Sequence, residues 1–350
     1  MRRISLQDLN DTMILAKPIY QGTRLILERD ITHLTRYIKQ LENIGIYSLY
    51  VKDSPSEDIS IPDAVSEETR QRCMSAVSAI FDKLKTQGNL DISQLDGVIE
   101  AILDDIFSEK DIICSLHHIA SIDDDTMVHC INTTIYCILI GKRRGLSTED
   151  LTTLAKGAIL HDIGKVDLNE TILLKAASLT QEEYSHIKEH SSLGYAFLKN
   201  NKGLSDEAKL IALQHHERLD GSGYPKGLKG DEIHLFARIT AVADMFDALT
   251  TARCYRKSMS NHKAYDILTD DALKGKLDRK LVSCLFDHVA IYPNGIIVYL
   301  SDGTHGIVKH QNPGQPFRPI VRIIDDTNGI NNVTLFDLDL TEHPELTIKA

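Results

Sequence analysis

Much of what this 350-residue sequence lacks is informative, because each absence removes a class of function. No apolar run approaches the roughly 20 residues of a membrane-spanning helix, and the N-terminal MRRISLQDLN lacks the apolar core of a signal peptide. A cytoplasmic protein with no membrane partner is expected. The six cysteines, Cys73, Cys114, Cys130, Cys137, Cys254 and Cys284, include no CxxC pair, which argues against a zinc ribbon or a disulfide framework. Reduced, mostly buried thiols are the expectation. Positive charge is in deficit: 39 Lys and Arg against 50 Asp and Glu leave a formal charge of -11, a poor surface for long nucleic acid. A local basic pocket for a small anion is compatible with that balance. Internal repeats and low-complexity tracts are missing too.

What is present is ordinary globular usage, 42% hydrophobic and 25% charged, in a chain long enough for two or three compact units. Residues 1–53 read as a small α/β module for sensing, docking or dimerisation, with a hairpin around Gln21 and Gly22, a helical run from Thr32 to Asn43 and the strand IYSLYV. Residues 54–66 have the proline-containing, small-polar composition of a linker. From 67 to 288 nearly every segment has helical spacing, as in TRQRCMSAVSAIFDKL and ARITAVADMFDAL. After that, YPNGIIVYLSDGTHGIVKH and RPIVRII read as short strands, so 289–350 is expected to be a small β appendage. The fold class is therefore mainly α: an all-helical domain flanked by a small α/β module and a small β unit.

Within the helical region lies HHERLDGSGYP, residues 215–225, which a plain core would not require. Adjacent side chains on a helix point about 100° apart, so His215 and His216 cannot share one apolar face, but they could reach two neighbouring metal ions. Other imidazoles and carboxylates recur in apolar helical sequence: His129, His161 with Asp162, His190, and Asp244. Singly, each reads more readily as a buried histidine bonded to a carbonyl or as a helix cap. Together they make a ligand set of nitrogen and oxygen without thiolate, suited to iron, manganese, zinc or nickel. Asp162 could bridge two ions, with His129, His161 and Asp244 on one and His190, His215 and His216 on the other. His117 and His118, near a probable helix end before an acidic run, read as a surface feature.

The region from about 110 to 290 resembles the HD-GYP family of bacterial cyclic di-GMP phosphodiesterases. The resemblance is carried by HDIGKVDL at 161–168, a helix expected to end at Glu189 and His190, HHERLDGSGYPKGLKGDEI at 215–233, and ARITAVADMFDALTTARCYRK at 237–257. It implies a metal-dependent hydrolase whose iron or manganese centre is bound by His129, His161, Asp162, His190, His215, His216 and Asp244. Members with a third metal carry a glutamate one turn before the first histidine. Asp125 occupies that position here, on the same helix face as His129, and reads either as a third-metal ligand or as part of an acidic first turn with Asp123 and Asp124.

The implied reaction is hydrolysis of cyclic di-GMP to pGpG, and onward to GMP in some members, by a hydroxide bridging two or three divalent ions. Lys165, four residues after His161, is expected to share its helix face and to hold a phosphate oxygen or steady the leaving group. Gly221, Gly223 and Pro225 shape a turn that leaves Tyr224 as an aromatic arm near the metals. Arg253, Arg256 and Lys257 form a short basic run suited to phosphate or a guanine edge, and Asp247 could bind guanine or orient a ligand. Two departures from the family pattern stand out. Ile233-His234 replaces a usual Ile-Pro, which would loosen the loop, and Cys254 replaces a usual proline. Competing readings are hydrolysis of another cyclic dinucleotide such as cyclic GMP-AMP, and a regulatory module docking a GGDEF-type diguanylate cyclase through the GYP surface. The amphipathic helices between Glu67 and Phe107 could pair in a homodimer or pack on the helical domain.

Overall fold

The computed structural model describes residues 1–108, 125–173, 175, 177–251, 258–325 and 334–349, with the Asp125 side chain left out. Its first fifty residues enclose a core of their own. Strands β1 (Arg2–Ser5), β2 (Ile14–Leu15) and β5 (Ser48–Lys52) form an antiparallel sheet in the order β1-β5-β2. The hairpin β3 (Ile19–Gln21) and β4 (Arg24–Leu27) turns at Gly22, whose φ of 58° is one that L side chains rarely adopt. Helix α1 (Ile38–Asn43), entered through a 3₁₀ turn at Leu34–Tyr37, ends before Gly45, where φ is 79°. Leu15, Ile19, Leu34, Leu41, Leu49 and Val51 are fully buried together. The opening strand β1 was not anticipated; RRIS is too short and too basic to show a period of two, and its pairing with β5 identifies it.

Residues 54–66 are tied down at several points. The N-terminal amine donates to the Ser56 and Ile59 carbonyls, Ile59 and Ile61 are buried, and Asp58 pairs with Lys309 and Arg322 of the C-terminal sheet.

The helical region runs through α2 (Glu67–Gln87), α3 (Leu95–Ser108), α4 (Asp125–Arg143), α5 (Thr148–Ile159), α6 (Glu170–Leu173), α7 (Gln181–Leu198), α8 (Asp206–Gln214), α9 (Leu235–Thr250), α10 (Asn261–Leu273) and α11 (Arg279–Phe286). Starts are set by side chains that accept from otherwise orphaned amides: Ser66, Ser147, Thr180, Ser205, Ser260 and Asp278. Thr180 and Glu183 form a reciprocal capping box at the start of α7. The amphipathic faces of α2 and α3 are spent internally, since Cys73, Val77, Ile80, Ile99 and Ile102 pack into the core shared with α4 and α5.

The C-terminal strands β6 (Ile297–Tyr299), β7 (His305–His310), β8 (Ile320–Asp325) and β9 (Thr334–Asp339) form an antiparallel meander. Val298, Val308, Val321 and Ile323 from its inner face join the helical core. The architecture is mainly α, with small sheets at both ends. Among the described residues no helix is long and apolar enough to cross a membrane.

Candidate metal centre

Five segments converge on one buried cluster: the second turn of α4 (His129), the turn after α5 (His161, Asp162), the middle of α7 (His190), the end of α8 (His215, His216) and α9 (Asp244). Two local expectations need correction. His190 does not end its helix; nothing from Glu189 to Leu198 breaks it, so the imidazole sits mid-helix on the buried face of α7. Nor does Lys165 share an α-helical face with His161. Helix α5 stops at Ile159, and Ile163–Asp167 is a 3₁₀ turn with a period of three. That period aligns Lys165 with Asp162, and the ammonium lies 2.5 Å from Asp162 Oδ2.

The tight turn is possible because Gly164 has no side chain. A Cβ there would meet the His190 carbonyl oxygen at 2.0 Å and the Gly194 nitrogen at 2.5 Å, so the turn carrying Asp162 lies directly against the backbone of α7. Sequence and site are linked at this point. Any larger residue would separate Asp162 from His190.

The imidazoles are oriented by their outer nitrogens. His161 Nδ1 lies 2.7 Å from the Ala158 carbonyl, His190 Nδ1 2.7 Å from Ile187, and His215 Nδ1 2.9 Å from Ile211. Carbonyls only accept, so each Nδ1 carries the proton and each Nε2 turns a lone pair inward. His129 is held the same way by a carboxylate, with Nδ1 2.7 Å from Asp247 Oδ2. Inside, His190 Nε2 and His215 Nε2 face each other at 3.2 Å, and the buried His161 Nε2 has no hydrogen-bond partner. Two lone pairs that close, beside an unsatisfied buried third, repel unless a cation lies among them. The residues therefore fit a metal.

Ligand atoms fall into two groups, His129, His161 and Asp162 in one and His190, His215 and His216 in the other, each with its atoms within 4.8 Å of one another. Asp162 lies between them. Its Oδ2 is 3.4 Å from His161 Nε2 and 3.7 Å from His129 Nε2, while Oδ1 is 3.5 Å from His190 Nε2. Asp244 joins from α9, with Oδ1 3.0 Å from His129 Nε2 and Oδ2 3.7 Å from His216 Nδ1.

Burial pushes His190 and His215 down to about 4 and lowers His161 and His216 as well. For Asp162, burial alone acts upward, but Lys165 and the surrounding imidazoles outweigh it and hold the carboxyl well below the usual range. Asp244 behaves alike: burial acts upward, and its hydrogen bond with His129 outweighs it. At neutral pH His161, His190, His215 and His216 are thus uncharged, and Asp162 and Asp244 ionised. Cys130, next to His129 in the chain, adds no thiolate, because burial raises it far above neutrality. The cysteines Cys73, Cys130, Cys137 and Cys284 are all unpaired.

The rim carries cations and an aromatic ring. Tyr224 stacks on His216 with centroids 4.7 Å apart at 27°, and burial keeps its phenol protonated. Lys188 Nζ lies 5.8 Å from the Tyr224 ring and 5.0 Å from that of Tyr184. The loop is fastened by a residue whose part the sequence did not announce. Buried Glu217 accepts from Lys226 N at 2.7 Å and Leu228 N at 3.0 Å. Gly223 lets the loop fold back, since a Cβ would lie 2.5 Å from Glu217 Cα. The Ile233-His234 departure does not loosen this end: His234 caps α9 by accepting from Phe236 N, and its own N–H, which proline would lack, donates to Gln214.

Asp247 is 1% exposed, with its oxygens engaged by His129, Asn132 and Thr251, a placement that suits orienting a ligand and not touching a base. Asn132 also escaped the sequence reading, although its spacing of three from His129 was a usable signal. Arg253, Arg256, Lys257, Cys254, His117, His118 and the Asp125 side chain lie outside the described residues.

Residues 115–281 match the HD domain family. Among curated proteins, the chain is 28% identical over 266 residues to a cyclic di-GMP phosphodiesterase of Pseudomonas aeruginosa, covering 74% of this chain and 64% of that protein. It is 42% identical over 149 residues to a cyclic di-GMP phosphodiesterase response regulator of Xanthomonas campestris, covering 42% and 39%. A third relative, the 3'3'-cGAMP-specific phosphodiesterase 2 of Vibrio cholerae, is 36% identical over 166 residues, covering 47% and 31%. The chain spans less than two thirds of the length of each.

Proposed function

We propose that the chain, part of which matches the HD domain family, is an HD-GYP-type metal-dependent phosphodiesterase that opens cyclic di-GMP to pGpG. One observation carries the reading: histidines whose outer nitrogens are tied off turn their inner lone pairs toward each other around the two-sided carboxylate Asp162. His129, His161, Asp162 and Asp244 would hold one divalent ion, and His190, His215, His216 and Asp162 a second; the nitrogen and oxygen donors admit iron or manganese, the metals the family resemblance implies. Such ions, when bound, neutralise phosphoryl oxygens and acidify water.

The protein's own residues supply the rest. Lys165, 20% exposed and anchored on Asp162, can turn its ammonium to a phosphate oxygen without leaving the cluster. Lys188, between Tyr184 and Tyr224, adds a second cation at the same rim, which suits a substrate with two phosphates. Tyr224 offers a ring face for a base and a phenolic proton for a hydrogen bond. Arg253, Arg256 and Lys257 extend the basic set, and Asp125 would be the ligand of a third ion. The similarity to a relative named for 3'3'-cGAMP supports a mixed cyclic dinucleotide as the alternative substrate. Docking of a diguanylate cyclase on the GYP loop, and pairing of two copies, remain separate proposals that need no turnover.

The test is anaerobic incubation of cyclic di-GMP with iron-loaded and manganese-loaded protein, resolving products by chromatography over time, with His161→Ala and Asp162→Ala as controls. Metal-dependent pGpG, lost in both variants, is the expected result. Stoichiometric metal uptake without product from cyclic di-GMP or cyclic GMP-AMP would overturn the proposal.

A further inference from the structure

Arg70, on α2, is only 5% exposed, and among the described residues no carboxylate lies within ion-pair distance of it. It also stands outside residues 115–281, which match the HD domain family. A buried cation is costly unless something compensates it, so its placement calls for a partner. Its Nη1 donates to Asn132 Oδ1 at 3.1 Å, Asn132 Nδ2 donates to Asp247 Oδ1 at 3.0 Å, and Asp247 Oδ2 lies 2.7 Å from His129 Nδ1.

Each link in this series has one permitted direction. Guanidinium only donates, so it fixes which end of the Asn132 amide is oxygen; the amide nitrogen must then face Asp247. The carboxylate only accepts, so His129 must carry a proton on Nδ1, which leaves Nε2, 3.0 Å from Asp244 Oδ1 and 3.7 Å from Asp162 Oδ2, as the atom it would offer a bound ion. Without Arg70 the amide is free to turn. An oxygen turned toward the Asp247 carboxylate would repel it and release the ring.

We propose that Arg70 is a positioning residue for the metal centre, acting through Asn132 and Asp247 to fix the tautomer and orientation of His129; this rests on reading the cluster as a metal site. Because α2 follows directly on the segment that ties the N-terminal module to the C-terminal sheet, the same series joins that part of the molecule to the His129 side of the site alone.

The experiment is chelator competition on the manganese-loaded full chain, comparing wild type with Arg70→Met, Arg70→Lys and Asn132→Ala, alongside thermal melting. Arg70→Met removes the buried charge while keeping much of the volume, so the fold should survive. The expected result is two bound ions in wild type and an affinity lower by about 10- to 100-fold for one of them in Arg70→Met and Asn132→Ala. The second ion should be held as in wild type, and Arg70→Lys should recover part of the loss. A general structural role would instead lower melting temperature and weaken both ions together. Wild-type affinity for both ions in Arg70→Met and Asn132→Ala would overturn the inference, as would equal weakening of both. If Arg70→Met does not fold, Asn132→Ala and Arg70→Lys decide by the same criterion. Failure of wild type to bind manganese would count against the metal-site reading itself, and is thereby distinguishable.

Discussion

Gly164→Ala puts one methyl group where the structure has no room for it. The three nearest atoms are all backbone: the His190 carbonyl oxygen at 2.0 Å, the Gly194 nitrogen at 2.5 Å and the His190 carbonyl carbon at 2.8 Å. No flexible side chain can swing aside. Restoring an ordinary contact of 3.4 Å to the carbonyl oxygen requires the 3₁₀ turn and α7 to part by about 1.4 Å. Overpacking of a rigid site costs about 1–3 kcal/mol, and this case should lie at the upper end. With about 2–4 °C lost per kcal/mol in a unit of roughly 200 residues, melting should fall by about 6–12 °C. The displacement also separates Asp162 from His190, now 3.5 Å apart, across the two ligand groups. A misplacement of about 1 Å can cost about 100-fold in rate, so activity and metal content should fall further than stability predicts. Gly97→Ala is the control, because a Cβ there meets nothing within 4 Å and its helix gains up to about 1 kcal/mol. The assay is a thermal melt with metal analysis of the purified protein. A Gly164→Ala protein that melts with wild type and binds the same metal would refute the close-approach argument.

Glu217→Gln keeps the shape of the side chain but turns a donor toward one of the two amides it now satisfies, at a cost of about 1–3 kcal/mol. Hydrogen exchange at Lys226 and Leu228 should accelerate by about 10- to 100-fold and KM should rise, whereas unchanged exchange would show that the loop is held by other contacts. For the metal-free protein, His190 and His215 sit near 4 when folded and near 6.5 when unfolded, so the unfolded state binds more protons as pH falls. Stability should be level above about 6.5 and decline between about 6.5 and 4, by about 3 kcal/mol for either histidine taken alone, with the depressed Asp162 and Asp244 adding loss in the same direction at lower pH. Melts that stay flat across that window would contradict the burial of neutral imidazoles.

The parts of this protein that were legible in its sequence are those with a local signature. Helical spacing marked most of the region from α2 to α11 because amphipathic faces repeat within one element, though not the four-residue α6, and the Ser, Thr and Asp caps confirm the starts. The ligand residues were legible because imidazole and carboxylate are conspicuous in apolar surroundings. What stayed hidden depends on distant partners. Glu217 looks like any exposed glutamate until the loop returns to within hydrogen-bond reach, and Arg70 looks like a surface arginine until α2 docks on α4.

The adjacent pair His215 and His216 joins His190 in one group, as the expected division of ligands between two ions has it, and the end of a helix is what allows it. A separation of about 100° on a continuing helix would send the two rings to different ions. Helix α8 stops at Gln214, however, and His215 is its cap, with φ of -63° and ψ of -19°. The chain then bends toward the loop, the ring centroids close to 4.1 Å, and both join His190 in one ligand group. They do so through different atoms. His215 ties Nδ1 to the Ile211 carbonyl and presents Nε2, whereas His216 points Nδ1 toward Asp244 and lays its ring against Tyr224. One imidazole thus closes the site from the helix while its neighbour joins the site to the loop, so a substitution that lengthened α8 past Gln214 would uncouple the two even with every ligand residue retained.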